Sequence, residues 1–114
     1  IDVAEVRSSG IRFDERFGAG MPLHLGDEYI FITDLLAAGL RGFSVSIVFG
    51  QHPADSSGAR WDDDRDVHDP AVALNRVFGW QAPGARLAFA VKHRRRLGAR
   101  RAVRFLADRT RPPR

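Results

Sequence analysis

The sequence predicts an α+β fold, a single domain of mainly antiparallel sheet with one or two helices on a face. Three observations carry this. FSVSIVF at 43–49 alternates aromatic and β-branched side chains with serine, the period-two pattern of a half-buried strand. RLAFAV at 86–91 repeats the alternation through Leu87, Phe89 and Val91. Asp69-Pro70 reads as a helix cap followed by a first-turn proline. Beyond it Val72, Leu74, Val77 and Phe78 fall mostly on one face of a helix over about 70–79.

The other elements follow in order. VAEVRSSGIRFDERF at 3–17 suggests two short strands around Ser8-Ser9-Gly10, with Ile11 and Phe13 alternating against Arg12 and Asp14. Gly18, Gly20, Pro22 and Gly26 make an irregular connection. EYIFITDLLAAGL then begins with strand-forming residues and ends with helix formers, so 29–39 stays open between the two. Gly39 and Gly42 bracket a turn before the strand at 43–49. A long acidic loop follows at 50–69, exceeding an ordinary connection. After Ala82-Pro83-Gly84 comes the strand at 86–91. Residues 100–107 fit a helix through Ala99, Ala102, Val103 and Leu106, or a strand through Val103, Phe105 and Ala107. A hairpin turning at Leu97-Gly98 is preferred, because it keeps glycine out of a helix interior. The domain is expected over 1–109, with a basic tail at 110–114.

Composition narrows the function. The chain has 114 residues, 44% of them hydrophobic, enough for one folded core. The net charge of +4 conceals a strong asymmetry: residues 92–114 carry ten basic side chains and one acid, Asp108, while acids outnumber bases in the rest. Arginine supplies nearly all of the positive charge, a bias that GC-rich coding also produces. The absence of cysteine excludes disulfides and thiolate metal sites. No apolar run approaches the roughly 20 residues that span a bilayer, and a cytoplasmic location is expected.

Asp62, Asp63, Asp64, Asp66, His68 and Asp69 crowd into eight positions, with His52 upstream. Oxygen-rich clusters suit hard cations, but this run lacks the glycine and distant glutamate of an EF-hand loop and any histidine-pair spacing. It reads as a solvated or Arg-paired loop, with no metal or cofactor expected. His24, His52, His68 and His93 belong to no recognisable nucleophile or acid-base arrangement, and no phosphate-loop or dinucleotide fingerprint is present. Whether the chain is an enzyme stays open.

The distinctive cations are Arg94, Arg95, Arg96, Arg100, Arg101 and Arg104, which can meet phosphates bidentately. Phe105 is the only aromatic among them and is expected in the core, so base stacking on single strands is not indicated. The favoured reading is a small non-enzymatic binding or assembly module. Its anionic partner would be a nucleic-acid backbone, a nucleotide or an acidic protein surface; a homo-oligomer is a further option.

Two family resemblances supply alternatives. RxxxR in IRFDERF, with DLLAAG at 34–39, resembles the PilZ family, β-barrels that bind cyclic di-GMP. That resemblance implies Arg12, Arg16, Asp34 and Gly39 as ligand positions. IRFDERFGAG and RLAFAVKHRRRLGARRAVRFLADRT resemble the opening and closing strands of an acyl-thioesterase hotdog domain. In that case Asp14, Glu15 or His24 would lie near an acyl thioester, in an enzyme that acts as a dimer.

Overall fold

Helix α1, Val3–Ser9, is held at its start by Asp2, whose Oδ1 accepts from the amides of Ala4 at 2.9 Å and Glu5 at 3.2 Å. This capping overrides the strand preference of Val3 and Val6. The structure, a computed structural model, describes residues 2–48, 50 and 63–110, and the regular elements among them are helical. The α+β expectation is therefore corrected: no sheet forms among the described residues, only an isolated bridge between Phe17 and Leu23.

Helix α2 spans Asp27–Ala37, with Asp27 and Glu28 at its positive end and Ile30 and Leu35 buried. Helix α3 spans Arg65–Phe78, so it starts earlier than the Asp69-Pro70 signature suggests. Asp69 is not the cap. It sits inside the helix, 1% exposed, and accepts a hydrogen bond from the His24 amide at 2.9 Å while its carboxylate pairs with the His24 ring. A short 3-10 turn, Gly79–Gln81, leads into α4, Ala82–Lys92, with proline in its first turn.

The expected strand at 86–91 is thus part of a helix. Its buried residues are Ala82, Arg86 and Ala90, four apart, whereas Leu87 and Val91 of the apparent strand face are exposed. The preferred hairpin at 97–98 is also corrected. Helix α5, Arg94–Ala107, breaks at Gly98, whose φ of 67° and ψ of 165° are open essentially to glycine alone. Glycine does stay out of the helical backbone, by marking a kink between two helical pieces rather than a reversal.

FSVSIV at 43–48 adopts no regular structure, and its large side chains are exposed. The expected 3–17 hairpin is replaced by α1 and an irregular segment. Residue 49, most of the acidic loop, and 111–114 lie outside the described residues.

Two apolar clusters flank α3. Phe17, Leu23, Ile30, Val72 and Ala73 join it to α2 and the loop before it. On the other side Val67, Ala71, Ala90, Leu97 and Phe105 join it to α4 and α5, with Phe89 stacked on Phe105 at a 5.2 Å centroid separation. The central helix therefore sets where the arginine-bearing helix lies.

Candidate anion-binding surface

The structure divides the six candidate arginines. Leu97 and Phe105 anchor α5 in the core, leaving Arg94, Arg95, Arg96, Arg100 and Arg104 exposed and Arg101 half-buried. Arg104 donates from Nη1 to Asp64 Oδ2 at 3.1 Å, and Nδ1 of His68 lies 2.8 Å from Asp108 Oδ2. Arg101 and Arg104 line a cavity of about 200 Å³ with Asp64, His68 and Asp108. Positive charge there is offset by carboxylates of the chain itself.

The other end of α5 is different. Lys92, Arg94, Arg95 and Arg96, with His93, surround a shallow depression of about 330 Å³ at the α4–α5 junction, and no acid lines it. Lys92, Arg94, Arg95, Arg96 and Arg100 make no ion pair among the described residues. Arg94 donates only to the Val91 carbonyl, at 3.2 Å, closing the end of α4. Two residues that the arginine count passed over, Lys92 and His93, complete this surface. Helical spacing is the signal that finds the second: His93 follows Phe89 by four residues, and their rings meet at a tilt with centroids 4.5 Å apart. Partial burial, together with Lys92 and Arg96, pushes the His93 imidazole below its usual range.

Of the residues implied by the two family resemblances, Asp14, Arg16 and Asp34 belong to a structural network with Arg76. Arg76 Nη2 donates to Asp34 Oδ2 at 2.8 Å and its Nε to Asp14 Oδ2 at 3.3 Å, while Arg16 Nε donates to Asp14 Oδ1 at 2.7 Å. The network ties the segment before α2, α2 itself and α3 together. Arg12 and Glu15 are exposed outside it, and Gly39 follows the end of α2. Both families are built on sheets, which the described residues do not contain. Among those residues no group of three or more His, Asp or Glu side chains is arranged to hold a metal ion. Asp62 and His52 of the acidic run lie outside the described residues. His24 lies between Asp66 and Asp69, fixing the loop before α2 against α3.

Two carboxylates tie stability to pH. Hydrogen bonds from Arg16 hold Asp14 below the ordinary value of 3.8. Burial raises Asp108, but side-chain and backbone hydrogen bonds from Thr110, aided by His68, bring it below that value as well. A carboxylate depressed in the folded state stabilises the fold above its unfolded pKa and loses that contribution as pH falls through the folded one. The thermal midpoint should therefore decline as pH falls below about 4. The decline should be shallower in an Asp14→Asn, Asp108→Asn double variant followed by circular dichroism. An equally steep decline in that variant would refute the assignment.

No protein-family model, curated protein or solved structure matches the chain. Among the described residues no helix is long and apolar enough to cross a membrane.

Proposed function

We propose that the chain is a small helical binding module that engages a phosphate backbone, without base specificity, through Lys92, Arg94, Arg95, Arg96 and Arg100. The observation that carries this reading is that, among the described residues, these five cations have no carboxylate partner, in contrast to Arg104 at the other end of the same helix. A cation paired with a carboxylate must leave it before meeting a ligand; among the described residues these five have no such pair to break, and Arg94 gives only Nη1 to a carbonyl.

The shape of the surface favours a backbone over a free nucleotide. Its depression is shallow, and the His93 ring that lines it already meets Phe89, which is stacked on Phe105. Among the described residues no Phe, Tyr or Trp lines the depression to stack on a base.

Fluorescence anisotropy with a labelled duplex is the direct test. If all five cations meet phosphates, log affinity should fall against log salt with a slope of about −4 to −5. Replacing Arg94, Arg95 and Arg96 together with alanine should make the slope shallower by about 3. A bound phosphate would also raise the depressed His93 pKa, so affinity should rise as pH is lowered from 7 toward 6. Salt-independent binding, or none, would overturn the reading. Equal affinity for polyglutamate would move it to an acidic protein surface.

A further inference from the structure

FSVSIV at 43–48 has the clearest strand pattern in the sequence, yet Phe43 is 83% exposed, Val48 85%, Ile47 62% and Val45 59%. Among the described residues its backbone forms no hydrogen bond. Unpaired peptide groups carrying β-branched side chains are complementary to the edge of another strand.

The sequence itself specifies which strand. In antiparallel pairing centred on Ser46, Val45 of one copy stands opposite Ile47 of the other, Ser44 stands opposite Val48, and Ser46 meets itself. Phe43, Val45 and Ile47 then share one face of the ribbon. The segment is nearly palindromic in polarity, as a twofold contact requires. No charged residue lies between Arg41 and Asp55, so the repulsion expected between two basic chains is absent along it.

A two-stranded ribbon needs a surface to rest on. Ile32 and Leu36, one turn apart on α2, are both about half exposed. A Cβ at Gly42 would stand 3.6 Å from Leu36, so the segment departs beside this apolar edge. Together the exposed side chains offer on the order of 1,000 Å² between two copies, at the lower limit for a specific interface.

We propose that residues 43–48 are a self-pairing strand, through which two copies of the chain associate as an antiparallel ribbon about a twofold axis at Ser46. The chain has no cysteine, so Ser46→Cys introduces a single thiol. Across the axis the two Cα atoms would be about 4.5–5.5 Å apart, within disulfide range. At position 44 the equivalent atoms would be about 13 Å apart, beyond it.

Mild oxidation should therefore give a covalent dimer with Ser46→Cys and not with Ser44→Cys. Sedimentation of the unmodified chain should show a concentration-dependent monomer–dimer equilibrium. Ile47→Lys should shift it to monomer with an unchanged far-ultraviolet spectrum, because the side chain is exposed. The proposal is overturned if the chain stays monomeric up to millimolar concentration, if positions 44 and 46 cross-link equally, or if assembly proceeds to open-ended fibres.

Discussion

Gly26→Ala is expected to cost about 2–5 kcal/mol of folding stability, a large part of the 5–15 kcal/mol typical of a domain. Two physical effects combine. Gly26 has a φ of 109°, which a residue with a side chain adopts only under strain of roughly 1–3 kcal/mol. Its Cβ would also stand 2.9 Å from the Cβ of Ala73, a methyl fixed to the backbone of α3 and unable to swing aside. This is the close approach that seats the start of α2 on the central helix. Urea unfolding should separate the effects: in an Ala73→Gly background the same substitution should retain the backbone cost and lose the clash. Identical costs in the two backgrounds would show that close packing at this contact does not limit the fold.

Phe105→Ala is expected to cost about 3–5 kcal/mol. The ring is 1% exposed among Val67, Ala71, Ala90 and Leu97, and it stacks on Phe89. Removing it leaves a cavity where α3, α4 and α5 meet, and the thermal midpoint should fall by well over ten degrees, about 4–8 °C per kcal/mol for a domain of this size. Phe105→Leu, which keeps most of the volume, should lose less than half as much. If alanine were tolerated within about 1 kcal/mol, α5 would not be held by this core.

Helix α3 was legible because Leu74, Val77 and Phe78 recur at helical spacing, although Val72 and Leu74 pack into the two different clusters that flank it. Its beginning was not, since Asp69-Pro70 has the chemistry of a cap while Asp69 in fact turns toward His24. At 86–91 the sequence offered two periods at once. Leu87, Phe89 and Val91 have the spacing of a strand, while the residues that bury there are Arg86 and Ala90, types that seldom advertise a core. Arg86 is 4% exposed and donates from Nη1 to Asn75 Oδ1 at 2.9 Å, with no hydrogen-bond partner for its Nε among the described residues. No local pattern discloses that arrangement, because it depends on how α4 meets α3.

FSVSIV shows the opposite failure. Its strand preference is genuine as local chemistry, but nothing among the described residues offers the second strand a sheet requires. The basic surface was legible as a segment and not as a site. Asp64 lies forty positions from Arg104, and only the fold brings that carboxylate to one end of α5, while among the described residues none pairs with the cations at the other end.

The ring of Phe105 stacks on Phe89, and Phe89 meets the His93 ring at a 39° tilt, so ring contacts run from the buried core to the basic surface. His93 is thus both a neighbour of the exposed cations and the outermost member of a core assembly. A change in its protonation reaches a ring that packs against the most deeply buried aromatic side chain in the described chain. The interior consequently acts as an internal reporter: occupation of the surface is readable from the magnetic environment of Phe89 and Phe105, with no label placed on the arginines themselves.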